Sequence, residues 1–149
     1  MADIYTKQWY EQLQTLVNSR EDITARAPKG QWRICIEIMG DGGSPYIPEG
    51  EAKYFFVLFD EGKCRKYEEL TETMNGKSLD FRFTGPATIF EEVAAGERDF
   101  IAAGLRGDIK IRGDMRVFMQ NAELAKIMAD LYSEQNDTGW PLGKPPYDS

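Results

Sequence analysis

Side-chain chemistry at neutral pH is most often carried by histidine, cysteine or paired carboxylates, and the first of these does not occur in the 149 residues of this chain. Its absence removes the commonest general base and the commonest metal ligand together, and with them most hydrolase and zinc-site chemistries. Cys35 and Cys64 are the remaining candidate nucleophiles. A thiol attacks as its thiolate, and no histidine or other activating environment is visible for either cysteine, so both read as core thiols. Glu68-Glu69 and Glu91-Glu92 offer carboxylate pairs for acid and base roles. Adjacent residues point different ways on a strand or helix, however, so both pairs read as solvated faces. Asp41-Gly42-Gly43-Ser44 and Gly104-Leu105-Arg106-Gly107-Asp108 contain glycines of the kind that cradle phosphate, but neither opens a helix after a strand with Walker or dinucleotide spacing. Both read as turns, and no catalytic residue, metal ligand or cofactor is expected.

What the chain has in surplus is large apolar side chains at regular spacing, concentrated between Leu79 and Tyr132. Leu79, Phe81 and Phe83 alternate with Asp80, Arg82 and Thr84, the pattern of a half-buried strand. Pro86 then opens a helix on which Ile89, Phe90 and Val93 share a face until Gly96 stops it. A second short helix, Asp99 to Leu105, is closed by Gly104 and Gly107, and Asp108 to Arg112 alternates as a strand before Gly113. Leu124, Ile127, Met128 and Leu131 follow at i, i+3, i+4 and i+7 as one stripe of a helix that starts at Asn121 or already at Asp114.

Upstream, Asp3 can cap a helix with the stripe Tyr5, Trp9, Leu13, Leu16 and Val17, and the polar stretch Asn18 to Pro28 reads as a loop. Trp32, Ile34, Ile36 and Ile38 share one strand face, with Arg33, Cys35 and Glu37 on the other. Gly40 to Gly50 is a long surface loop, and Tyr54 to Phe59 is apolar enough for a central strand covered on both sides. Asp60 to Lys63 turns it into a hairpin with Cys64 to Leu70, and Asn75-Gly76 supplies the next turn. The expected architecture is α+β: a mostly antiparallel sheet of about five strands with helices on one face. It forms one domain over residues 1–132, followed by an extended tail over 133–149. Trp140, Leu142 and Tyr147 predict that the tail packs back on the domain or on a second subunit, the latter giving a homodimer.

A formal charge of −7 and a pI near 4.7 give long-range attraction to nucleic acid or anionic membranes the wrong sign, so nucleic acid is not an expected partner. No apolar run of about 18 residues is present, and Met1-Ala2-Asp3-Ile4 does not begin a secretory signal. A cytoplasmic location and free thiols are the expectation.

From Leu79 onward the chain resembles the sterol carrier protein type 2 family. The resemblance rests on Ile89 and Phe90, Gly96, Phe100, Ala103, Gly107, Ile109, Lys110, Ile111, Gly113 and Asp114, in an ordered succession of strand, helix, helix, strand and helix. It implies a small lipid-binding domain and not an enzyme, with ligands drawn from sterols, fatty acids, fatty acyl-CoA and phospholipids. The chain ends Pro146-Tyr147-Asp148-Ser149 and not in a Ser-Lys-Leu type address, which favours a stand-alone prokaryotic protein over a peroxisomal one.

The candidate ligand-binding residues are Phe81, Phe83, Ile89, Phe90, Val93, Phe100, Leu105, Ile109, Ile111, Phe118, Leu124, Ile127, Met128 and Leu131. They fit two arrangements: a filled core, or helices and sheet standing apart around an apolar tunnel. Met115, Met119 and Met128 would suit the irregular wall of such a tunnel, and Arg82, Arg106 or Lys110 could meet a head group at its mouth. The alternative function is a closed-core interaction or dimerisation module accessory to an enzyme of lipid metabolism.

Overall fold

The computed structural model describes residues 1–147. The chain opens with a two-residue strand, β1 (Ala2–Asp3), and helix α1 (Lys7–Ser19). Thr6, not Asp3, caps α1: its hydroxyl accepts from the Trp9 N–H at 3.3 Å, while Asp3 is held in β1. A second helix, α2 (Glu21–Arg26), occupies the stretch whose polarity reads as a loop. Its six residues carry one buried apolar side chain, Ile23, and one residue makes no period.

The sheet comprises β2 (Gln31–Met39), β3 (Ala52–Asp60), β4 (Lys63–Leu70), β5 (Phe81–Pro86) and β6 (Lys110–Gly113), in the spatial order β4-β3-β2-β5-β6. It is mixed: β2 and β5 run parallel, and the other neighbours are antiparallel. Glu61 and Gly62, at φ 50° and 81°, make the β3–β4 turn. Two successive positive φ values suit a hairpin because they match the right-handed twist of its strands. The parallel neighbour of β2 is reached by the connection from Leu70 to Phe81, which includes a short 3₁₀ turn at Gly76–Ser78. This connection covers the face that bears Cys35, Glu37, Arg82 and Thr84. Thr73 and Thr84 donate to Glu37, the latter at 2.9 Å, and Arg82 donates to the Met74 carbonyl.

The opposite face carries the helices. After β5 come α3 (Ala87–Ala94) and α4 (Phe100–Arg106); after β6 come α5 (Met115–Gln120) and α6 (Ala122–Asp130). Asp114 and Asn121 both mark helix starts. Asp114 caps α5 by accepting from the Arg116 N–H at 3.0 Å, and Asn121 breaks the rod by turning its amide back onto the Val117 carbonyl at 2.8 Å. Gly104 lies inside α4 and does not close it. A Cβ there would stand 2.6 Å from the Ile111 side chain, so glycine lets α4 lie directly on β6.

Past α6 the backbone widens into a π turn, Leu131–Gln135, and returns to the chain's own beginning as β7 (Thr138–Gly139), parallel to β1. The Tyr46 hydroxyl donates to the Gly143 carbonyl at 2.6 Å and accepts from the Leu142 N–H at 3.1 Å. Trp140 stands edge-on to Tyr46, while Leu142 is exposed.

Candidate functional site

Between the helices and the sheet lies a cavity of about 240 Å³, somewhat below the roughly 300–1,000 Å³ usual for small-molecule sites. Its floor follows from strand alternation. Trp32, Ile34, Ile36 and Ile38 of β2, Phe55, Val57 and Phe59 of β3, Tyr67 of β4, and Phe81 and Phe83 of β5 all turn toward the helices. Its roof follows from helical periodicity, with Trp9, Leu13 and Val17 from α1, Phe90 and Val93 from α3, Phe100 from α4, Val117 and Phe118 from α5, and Leu124, Ala125, Met128 and Ala129 from α6.

Ile34 and Ile36 sit on the middle strand beneath the helices, where a filled core would seal them, yet both are only half-buried. Cys35 between them, on the other face, is fully buried. Among the described lining residues there is no charged side chain. Two of its polar side chains are engaged by the protein itself: Asn121 donates to Val117, and the Trp9 indole donates to the Thr138 hydroxyl at 2.9 Å. Burial pushes the Tyr67 and Tyr132 phenols well above the usual range, so both stay neutral. The space is therefore mostly apolar and holds no charge to pair with an ionised group inside it.

Of the candidate residues, Phe81, Phe83, Phe90, Val93, Phe100, Phe118, Leu124 and Met128 line this cavity. The other six lie elsewhere. Ile109 is fully buried in the packed cluster that joins α3, α4 and the chain start, and Ile89 and Ile111 pack against that cluster. Leu131 is buried with Val17, Ile23 and Val57, and Ile127 packs beside them. Leu105 is 67% exposed, because it stands about 140° around α4 from the inward-facing Phe100. Missing from the candidates were the β2 and β3 faces and the α1 stripe. Their periodicity was visible in Trp32 to Ile38 and Trp9 to Val17, but only the sheet order places those faces opposite α5 and α6.

The three basic residues considered for a head group do not line the cavity either. Arg82 lies on the opposite face beside Glu37 at 3.8 Å, Lys110 shares that face by its register with Thr84, and Arg106 is exposed at the end of α4. Glu91, read as part of a solvated face, is fully buried and accepts hydrogen bonds from three hydroxyl groups, those of Tyr5, Ser44 and Tyr147. Its burial raises its pKa against the opposing effect of those donors. Burial likewise raises the Cys35 thiol and pushes Cys64 up to about 12, so neither is a ready nucleophile at neutral pH. Among the described residues no three His, Cys, Asp or Glu side chains gather as a metal site, and no helix is long and apolar enough to cross a membrane.

Two solved structures share this architecture closely. A crystal structure of sterol carrier protein 2 superposes with a TM-score of 0.74 at 16% identity, covering 89% of this chain and 98% of its own. The solution structure of the protein TT1886 from Thermus thermophilus superposes with a TM-score of 0.73, also at 16% identity, covering 95% of this chain and 94% of its own. At such identity the likeness is one of fold. No curated relative matches the sequence. The family model described as the SCP-2 sterol transfer family matches residues 11–126, a span that takes in all five strands of the sheet and most of the helical wall of the cavity, and the chain belongs to that family.

Proposed function

We propose that this protein is a non-enzymatic carrier that holds a hydrophobic molecule in the cavity between helices and sheet and passes it on by release. The half-burial of Ile34 and Ile36 beneath the helices carries this reading, because it supports open space where a filled core would leave none. An acyl chain or fused-ring ligand gains roughly 0.8 kcal/mol per buried CH₂, enough for micromolar binding after ordering costs are met. A volume of about 240 Å³ favours one chain or one ring system over a two-chain phospholipid. The family's description and the sterol carrier name of a solved neighbour point to the same ligand class.

Native mass spectrometry of the purified protein, followed by organic extraction, tests the reading. A discrete extra mass that extraction removes is the expected result. A protein that flies clean and also fails to bind a fluorescent fatty acid would leave the closed-core interaction module in its place.

A further inference from the structure

A second cavity, of about 250 Å³, adjoins the first. Val93, Phe100 and Ala129 line both, so one layer of side chains separates the two spaces. Their characters differ. No charged side chain lines the first, whereas the second is walled by Glu97, Arg98, Asp99, Asp130, Ser133 and Glu134. All four acidic residues of this wall are exposed, so the second space is a cleft open to water.

The cleft forms where two helices stop. α3 ends at Ala94 and α6 at Asp130, and the π turn after α6 carries Ser133 and Glu134 into the wall. A helix C-terminus bears partial negative charge, which a basic residue in the last turn offsets. Neither α3 nor α6 has one there, and α6 ends on an acid. The single cation of the wall is already engaged: the Arg98 guanidinium pairs with Glu92 at 3.1 Å and with Asp108 at 3.3 Å, neither of which lines the cleft. Asp99 caps α4, accepting from the Ala102 N–H at 2.9 Å. Glu97, Asp130 and Glu134 make no ion pair among the described residues.

We infer that this cleft receives the polar end of the molecule whose apolar part fills the first cavity, and that the head group it selects is a protonated amine over a carboxylate or phosphate. The inference deepens the carrier reading and rests on it. Phe100 is the side chain that moves to join the two spaces, since it stands between them and is only half-buried, with Phe83 edge-on to it at 5.6 Å. Exposed ion pairs between side chains are weak partly because both partners lose freedom in forming them. Here the tail of the ligand, held in the apolar cavity, already fixes its head beside the carboxylates. In water a unit charge about 6 Å from a carboxylate changes affinity by about threefold, upward for a cation and downward for an anion. Three unpaired carboxylates therefore separate an amine from a carboxylate of equal chain length by at least about tenfold after screening, with an uncharged alcohol between them.

The test is displacement of the uncharged dye Nile red by dodecylamine, dodecanol and dodecanoate, each kept below its micellar concentration. The parent is expected to bind in the order amine, alcohol, carboxylate, with the outer two at least about tenfold apart and converging as salt rises. In the triple variant Glu97→Gln, Asp130→Asn, Glu134→Gln the amine should lose about tenfold while dodecanol binds as in the parent, which shows the first cavity intact. Asp130→Asn alone should lose about threefold for the amine, and because it removes an acid from a helix C-terminus it does not loosen α6. Glu49→Gln, Glu51→Gln, Glu72→Gln removes the same charge from exposed positions outside both cavities and should leave the parent's order unchanged. Equal affinity of the parent for amine and carboxylate, or an equal loss in the distant variant, overturns the inference and leaves the carrier reading standing. If none of the three chains displaces the dye, the carrier reading falls and the inference falls with it.

Discussion

The hydroxyl of Tyr147 donates a 2.7 Å hydrogen bond to Oε1 of Glu91. The other oxygen of that carboxylate accepts from Tyr5 at 2.6 Å and from Ser44 at 2.8 Å, so one buried side chain on α3 joins the start of the chain, the Gly40 to Gly50 loop and the tail. A buried carboxyl with three donors is a structural tie, and burial makes its ionised form costly.

That cost sets a pH dependence. The folded pKa of Glu91 is raised above its ordinary value of 4.5, chiefly by burial. The folded state then binds more protons than the unfolded one, so this group's contribution to stability is fully present below 4.5 and is lost as pH rises through the folded pKa. Glu91→Gln removes the titration while keeping the shape. The melting temperature of the variant minus that of the parent should therefore increase as pH is raised from about 4 to 7. A constant difference across that range would show that Glu91 does not titrate with a raised pKa.

Ile34→Trp separates a cavity from a filled core. If space exists above β2, the larger ring enters it, stability changes little, and fatty acid affinity falls at least about tenfold. If the core is already filled, overpacking costs about 1–3 kcal/mol and leaves no binding to lose. Chemical denaturation and a fluorescence titration on the same sample read both quantities.

Cys64 lines the cavity, but its thiol is held at about 12 by burial, and the Cys35 thiol is raised as well. Both should react with an aromatic disulfide reagent at pH 8 only after unfolding in urea. Rapid labelling of the native protein would contradict the burial of both groups.

Thr138 accepts the Trp9 indole N–H, which ties β7 to the cavity roof. Thr138→Val should cost about 1 kcal/mol and speed chymotryptic cleavage after the exposed Leu142 as the tail lifts. Unchanged cleavage with lowered stability would mean that Tyr147 and Tyr46 hold the tail without it.

Periodicity alone carried the sheet and most of the helices. Alternation from Trp32 to Ile38 and from Leu79 to Phe83, and the Leu124 to Leu131 stripe, are properties of neighbouring residues, and a strand or helix turns them into a face whatever the rest of the chain does. The resemblance to a family from Leu79 onward was equally local, because it lies in the order of short elements bracketed by Gly96, Gly107 and Gly113. α2 escaped because its single buried residue, Ile23, makes no pattern. The β2–β5 parallel pairing, and with it the placing of Trp32 to Ile38 beneath α5 and α6, depends on how strands are ordered, which no single stretch contains. Glu91 is the sharpest case: beside Glu92 it reads as a solvated charge, and its three partners lie 86, 47 and 56 residues away. Leu105 is its converse, an apolar residue in an apolar run that the angle of α4 leaves in water. Sequence determined the elements, their apolar faces and the absence of histidine chemistry. Only tertiary structure decided which faces meet and whether they close on each other, because empty space is set by the distance between layers and not by the composition of any one of them.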